Sequence, residues 1–177
     1  YWKLDFSEKL NLSEGNWCQL ILRNLEEATK LRMISDVPIG AFLSGGPDSS
    51  SVVSVMADLS RKPVKTFTVV YKEKTHDEAE YARKIAKLYK TEHYELLAEP
   101  EDVETLPELV YQHEEPYGNS SALVAHMVSK LAKKYVTVVL NGDGGDENFA
   151  GYSRFFRVQR DYLFDKYLSW GRELAIP

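Results

Sequence analysis

The string Leu43-Ser-Gly-Gly-Pro-Asp-Ser-Ser-Ser51 sits between an apolar run at 37–43 and a second apolar run at 52–57. A strand that stops in two glycines and restarts as a helix exposes backbone N–H groups and the positive end of a helix dipole, both suited to an anion. Asp48 adds a carboxylate of the kind that binds the Mg²⁺ accompanying a polyphosphate. The string lacks the Gly-Lys-Ser/Thr ending of a Walker loop, so a different kind of ATP chemistry is implied.

The rest of the chain continues the pattern. Residues 16–34 place Trp17, Leu20, Ile21, Leu25, Ala28 and Leu31 at helical spacing, which predicts a long amphipathic helix ended by Asp36 and Pro38. Residues 37–43 predict a buried parallel strand and 48–59 the helix after it. A strand at 64–71, a helix at 77–89, a strand at 91–97 and a helix at 101–113 follow. Beyond a Pro and Gly loop at 114–121 come a helix at 122–134, a strand at 135–140 and a second glycine-rich turn, Asn141-Gly-Asp-Gly-Gly-Asp-Glu147. A last helix is expected from 152 to about 168. This alternation predicts an α/β fold: a doubly wound parallel sheet in three layers, α/β/α, with ligands at the carboxyl ends of strands where strand order switches. Both glycine-rich turns fall at such ends.

Composition narrows the function. The 177 residues suffice for a single domain with its own core. Lys and Arg number 22 against 27 Asp and Glu, a net charge of −5, which offers no broad basic surface and argues against nucleic acid. No apolar run is long enough to span a bilayer and no leader is visible, so no membrane association and a cytoplasmic setting are expected. The single cysteine, Cys18, cannot close an internal disulfide; lying inside the first predicted helix, it is expected to be a packing residue.

In the first turn Gly45 and Gly46 are free to take positive φ and let a phosphate approach the backbone, with the hydroxyls of Ser44, Ser49 and Ser50 as donors. The plainer reading is a tight strand–helix connection capped by Asp48 or Ser49. The second turn crowds Asp143, Asp146 and Glu147 among Gly142, Gly144 and Gly145. Their mutual repulsion raises pKa values unless Mg²⁺ or a basic substrate compensates. Here the plainer reading is an exposed acidic loop that helps start the next helix. Glu147 stands where a dinucleotide fingerprint needs its third glycine, and the spacing is not that of an EF-hand. Taken together, two small acidic strand ends in one sheet give room for a triphosphate, its metal and a second reactant side by side.

Three segments resemble the synthetase domain of glutamine-dependent asparagine synthetases: Asp36-Val-Pro-Ile-Gly-Ala-Phe-Leu-Ser-Gly-Gly-Pro-Asp-Ser-Ser50, Glu114-Glu-Pro-Tyr-Gly118, and Asn141-Gly-Asp-Gly-Gly-Asp-Glu147 with Gly151-Tyr152. Order and spacing also match, over nearly the whole chain; the first segment alone would indicate only the wider N-type ATP pyrophosphatase (PP-loop) group, whose fold is adenine nucleotide alpha hydrolase-like. The resemblance implies that ATP is cut between its α and β phosphates. The aspartate side-chain carboxylate becomes an adenylate, pyrophosphate leaves, and ammonia attacks to form asparagine. Carried over by position, Ser44, Gly45, Gly46, Asp48, Ser49 and Ser50 would hold the pyrophosphate portion. Phe42 and Val69 would flank the adenosine, with Asn141 and Gly142 closing over it. Asp48 and Asp146 would hold Mg²⁺, and Asp143 would sit beside the acyl group as an orienting or proton-accepting carboxylate. Glu115 and Gly118 would lie near the aspartate pocket, the alternative being a plain turn set by Pro116 and Gly118.

The chain departs from the family in several places. Pro47 stands where a residue with an amide hydrogen is usual, a loss without consequence if 47 is the first helical position. Asn141 replaces a usual serine and Ala150 a usual glycine. The chain opens at Tyr1 without the glutaminase half's N-terminal cysteine and stops at Pro177, before a basic residue that the family supplies to the reaction centre. A C-terminally incomplete synthetase domain is therefore expected, poorly active alone, its ammonia coming from a glutaminase domain absent here; a homodimer of the full-length protein is left open.

The remaining polar candidates read as structural. His76, His93, His113 and His126 are scattered without ligand spacing; Phe155, Phe156, Tyr162 and Phe164 read as helix packing, and Arg154, Arg157 and Arg160 as solvated. Two rival readings stand beside asparagine synthesis. One keeps the adenylation and changes the acceptor, as in β-lactam synthetases or amidotransferases acting on sugars or peptides; the other is a nucleotide-binding module without catalysis.

Overall fold

Capping sets where the first helix begins. In the computed structural model, which describes residues 3, 5, 7, 9–72, 79–115, 118–119 and 121–168, helix α1 spans Glu14–Arg32. It starts two residues before the apolar spacing does, because the Ser13 hydroxyl accepts from the Asn16 N–H at 3.4 Å.

The elements then alternate: β1 (Ile39–Phe42), α2 (Pro47–Leu59), β2 (Lys65–Val70), α3 (Ala79–Tyr89) and β3 (Glu92–Leu97). A 3₁₀ turn (Pro100–Thr105) leads into α4 (Leu106–His113), followed by α5 (Ser121–Ala132), β4 (Val138–Leu140), α6 (Gly145–Phe149) and α7 (Ser153–Leu168). The helix predicted from 101 is thus split. Pro107 has no N–H, and its ring clashes with the carbonyl four residues back, so a continuous α-helix cannot run through it. The last strand is shorter than predicted: the Tyr135 and Val136 N–H groups bond to the Ala132 carbonyl at the end of α5 instead of joining the sheet.

All strand pairs are parallel, in the order β3-β2-β1-β4. The period-two alternation of a strand splits the core between two faces. Ala41, with Leu43 just beyond β1, packs with Val53 and Met56 of α2 and Ala82 and Ala86 of α3; Phe67 packs with Val128, Leu131 and Ala132 of α5 and with Val136 on the other face. Helix α1 lies on α2 and α4 on α5. This is the expected doubly wound, three-layer arrangement. Phe67, Leu43, Met56 and Val53 are essentially inaccessible, and each such side chain contributes about 1.5–3 kcal/mol on burial.

The outer helices depart from the sequence reading. Cys18 is exposed, not packed, as are Trp17 and Leu31, because α1 turns Leu25, Ala28 and Thr29 inward instead. On α7, Phe155, Phe156, Tyr162 and Phe164 are exposed as well, so their expected role as packing residues is not met among the described residues. An apolar stripe predicts a helix, but it does not reveal which part of the stripe finds a neighbour.

From β1 the chain winds outward through β2 to β3, then returns to lay β4 on the other side of β1. The switch in direction falls between β1 and β4, and both glycine-rich turns leave the sheet there.

Candidate active site

The first turn carries β1 into α2. Gly45 holds φ +89°, which a side chain would strain. Gly46 does not share that conformation: it is extended at φ −70° and serves as the N-cap, so the freedom expected of both glycines is used by one. Pro47 is the first residue of α2, where an N–H would have no helical partner, so the absent amide hydrogen costs the helix nothing. Neither Asp48 nor Ser49 caps the helix. The buried Ser49 hydroxyl instead accepts from the Ser44 N–H at 3.2 Å and lies 2.9 Å from the Ser44 hydroxyl, which accepts from the Gly46 N–H at 3.2 Å. The Ser50 hydroxyl oxygen is buried with no hydrogen-bond partner among the described residues, an unmet donor beside the first turn.

The second turn carries β4 into α6. The Asn141 side-chain amide donates to Asp143 Oδ2 at 2.6 Å, and the Asp143 N–H donates back to Asn141 Oδ1 at 3.3 Å. Gly144 caps α6 at φ +89°, and the Asn148 amide donates to its carbonyl at 2.6 Å. Glu147 accepts from the Tyr152 hydroxyl at 2.7 Å. That bond, then Glu147's own backbone N–H and the charge of Arg154, hold its carboxyl below the usual carboxylate range. Crowding was expected to push these carboxyls upward; at Glu147 the chain itself supplies the compensation. Arg154 is exposed, as expected, and its guanidinium lies over the Tyr152 ring, 4.1 Å from its centre.

The two turns are in contact. A Cβ on Gly142 would lie 2.6 Å from the Ser49 nitrogen and 2.9 Å from the Asp48 carbonyl carbon. One on Gly145 would lie 2.3 Å from Asp48 Cγ, and one on Gly151 1.8 Å from Asp146 Oδ1. The second turn therefore rests its backbone on the start of α2, with the Asp48 side chain between them.

Beside the first turn a cleft of about 280 Å³ opens, lined by Phe42, Leu43 and Ser44 from β1 and its exit, Phe67, Thr68 and Val69 from β2, Tyr71, Ala79, and Val124 and Val128 from α5. Phe42 and Val69, named for the adenosine, and Ser44, named for the pyrophosphate, line this one cleft. Thr68 was not foreseen: its buried hydroxyl donates to the Leu43 carbonyl and ties β2 to the exit of β1. Its one signal was a hydroxyl within an apolar strand. Val124 and Val128 had no signal, since which helix covers the cleft depends on how the sheet is wound. Glu115 and Gly118 are exposed after α4, and nothing lies within 4 Å of where a Gly118 Cβ would stand; Pro116, Tyr117 and His76 lie outside the described residues. Half-buried His93 bonds through Nδ1 to Thr66 at 2.8 Å, and burial first of all depresses its pKa, fitting a structural role.

Among the described residues no three His, Cys, Asp or Glu side chains converge as a metal cage. Mg²⁺ typically takes one or two carboxylates together with substrate phosphates and water. Asp48 lies against Gly145 where the two turns meet, and Asp146, the residue after Gly145, lies against Gly151 beyond the end of α6. No helix among the described residues is long and apolar enough to cross a membrane.

Residues 20–175 match the family described as asparagine synthase. The putative asparagine synthetase (glutamine-hydrolyzing) 2 of Methanocaldococcus jannaschii is 41% identical over 86% of this chain, and asparagine synthetase (glutamine-hydrolyzing) 1 of Bacillus subtilis 34% identical over 86%. The chain spans 30% and 24% of the lengths of those two proteins. The solved NMN synthetase of Francisella tularensis superposes with a TM-score of 0.49 at 18% identity, over 80% of this chain and 59% of that one.

Proposed function

Because the chain belongs to the asparagine synthase family, we propose that it is the ATP-binding part of a ligase that adenylates the side-chain carboxylate of aspartate and passes the acyl group to ammonia. The observation that carries this reading is the contact of Asp48, from the first turn, with Gly142 and Gly145 of the second. It joins an anion-binding helix start and an acidic turn into one site at the switch point of a parallel sheet.

The cleft lined by Phe42 and Val69 would take the adenine, an apolar ring system, and leave the phosphates at the first turn. Ser44, Gly45, Gly46, Ser49 and Ser50 would surround them, with the Ser50 hydroxyl finding its missing partner there. An aspartate carboxylate oxygen attacks the α-phosphorus and the α–β bridging bond breaks, releasing pyrophosphate. Ammonia then attacks the acyl carbon, AMP leaves with its oxygen, and Asp143 would take the proton that nitrogen sheds. Asn141, bonded to both ends of Asp143, keeps that carboxylate oriented. Mg²⁺, when bound by Asp48 and Asp146, would offset charge on the leaving pyrophosphate. The ammonia would come from glutamine, the hydrolysis that the relatives' names state for them. A cytoplasmic setting accords with a chain of one cysteine.

Aspartate-dependent exchange of labelled pyrophosphate into ATP, measured on the full-length protein, tests the reading. Asp48→Ala is expected to slow exchange by about 10²-fold or more, the scale on which removal of one electrostatic stabiliser acts. An unchanged rate refutes the assigned site. Inert aspartate alongside turnover of another carboxylic acid would keep the adenylation and replace the substrate.

A further inference from the structure

Each carboxylate assigned to Mg²⁺ rests on an α-carbon that has no side chain. A Cβ on Gly145 would fall 2.3 Å from Asp48 Cγ and 2.6 Å from each of its oxygens; one on Gly151 would fall 1.8 Å from Asp146 Oδ1 and 2.9 Å from Asp146 Cγ. Backbone conformation does not explain these glycines. Positive φ among the described glycines belongs to Gly45 and Gly144, so alanine is conformationally allowed at 145 and 151. Gly144 shows the opposite case, a φ of +89° with nothing closer to its Cβ position than Asn148 Nδ2 at 3.8 Å. Neighbouring glycines in one turn thus answer different demands, one of backbone and one of space.

We propose that Gly145 and Gly151 are positioning residues for the metal: their missing side chains set where the Asp48 and Asp146 carboxylates stand. The inference rests on the Mg²⁺ assignment made under the proposed function. A side chain at 145 leaves two escapes, a rotation of the Asp48 carboxylate or a retreat of the second turn from α2, and either changes its placement relative to Asp146, the next residue. At 151 the backbone closes the seat. The Gly151 N–H donates to the Asp146 carbonyl at 3.0 Å, and Ala150 at φ +56° ends α6, so the chain doubles back and lays the 151 α-carbon against the Asp146 side chain. The space left at the two glycines thus decides which rotamers the Asp48 and Asp146 carboxylates can take.

The experiment uses Mn²⁺ as the probe, its binding to the full-length protein with ATP followed by electron paramagnetic resonance, and ATP binding with metal chelated followed by calorimetry. Gly145→Ala and Gly151→Ala are each expected to weaken Mn²⁺ binding by about tenfold to a hundredfold, as loss of a supporting group around a metal does, with metal-free ATP affinity within about twofold. In an Asp48→Ala background, Gly145→Ala should weaken Mn²⁺ binding no further and should recover thermal stability, because the three atoms nearest the added carbon are gone. Mn²⁺ binding unchanged in the glycine variants, or lost in step with metal-free ATP binding, overturns the seats while Asp48→Ala and Asp146→Ala still report on the metal. Unweakened Mn²⁺ binding in both aspartate variants, or none in the unsubstituted protein, overturns the metal assignment and the seats together. Should Gly145→Ala fail to fold, the double variant with Asp48→Ala is expected to fold, and an unfolded double variant overturns the proposal.

Discussion

The two glycine-rich turns leave adjacent parallel strands and look alike in sequence, yet they are built differently. The first is held by its own hydroxyls: Ser49 satisfies the Ser44 N–H, Ser44 satisfies the Gly46 N–H, and a 13-residue helix follows. The second is held by carboxylate partners, Asn141 on Asp143 and Tyr152 on Glu147, and opens a helix of 5 residues. A long helix concentrates partial positive charge at its start, whereas a single turn adds little. The first turn is therefore suited to receive anionic oxygens and the second to present its own. Their difference in charge, more than their shared glycines, makes the pair fit a metal-linked polyphosphate.

If the two turns form one unit, the largest effect on stability should come from prising them apart. Gly142→Ala would put a Cβ 2.6 Å from the Ser49 nitrogen and 2.9 Å from the Asp48 carbonyl carbon, both backbone atoms that cannot step aside. We expect a loss of about 3 kcal/mol in urea unfolding, the upper end of ordinary overpacking. Stability unchanged or raised, as expected of Gly15→Ala in α1, where nothing lies within 4 Å of the added carbon, would show that the turns do not touch. Next comes the contrast between them. Ser49→Ala removes a buried hydroxyl together with its part-buried bond to the Ser44 N–H and should cost roughly 1–2 kcal/mol, while Asn141→Ala, in the exposed turn, should stay within about 0.5 kcal/mol. Equal costs at the two sites would erase the distinction between a self-bonded turn and a solvated one.

Much of this was legible in the sequence, for identifiable reasons. Buried parallel strands advertise themselves as short apolar runs, and Ile39–Phe42 and Lys65–Val70 appeared within a few residues of their predicted bounds. The split at Pro107 escaped because the apolar spacing of Val103, Leu106 and Val110 continues through it, and side-chain period does not record a missing N–H. Phe42, Ser44 and Val69 could be placed because they sit at strand ends, whose position follows from topology. Thr68, Val124 and Val128 could not, since their share in the cleft depends on face parity and on which helix lies over it. The packing of Asp48 on Gly145 was hidden for another reason: they lie 97 positions apart in the chain, and their meeting depends on β4 returning beside β1.

Pro47 offers a smaller and sharper test of the first turn. At the first helical position its missing N–H removes no helical bond, and its ring restrains the unfolded chain. Pro47→Ala should therefore cost about 0.4–1 kcal/mol through the unfolded state and leave ATP affinity within about twofold. A large gain in ATP affinity would mean that an amide hydrogen at 47 is a phosphate donor after all, and that this first turn is a weakened one.

The smallest effect belongs to the second turn and is visible only against pH. The Tyr152 hydroxyl stabilises ionised Glu147, lowering that carboxyl and raising its own phenol. A carboxyl lowered in the folded state loses its proton there more readily than in the unfolded chain. Its contribution is thus complete above the unfolded value and fades as pH falls through the folded one. Tyr152→Phe should bring Glu147 back toward the usual carboxylate range in an NMR titration and flatten the acid limb of the stability curve, with almost no change at neutral pH. Because Glu147 is exposed, solvent screening keeps the stability change small, so the titration is the decisive readout. A Glu147 titration identical in both proteins would remove the tyrosine as the partner that lets three carboxylates share one turn, and would return that role to a bound cation.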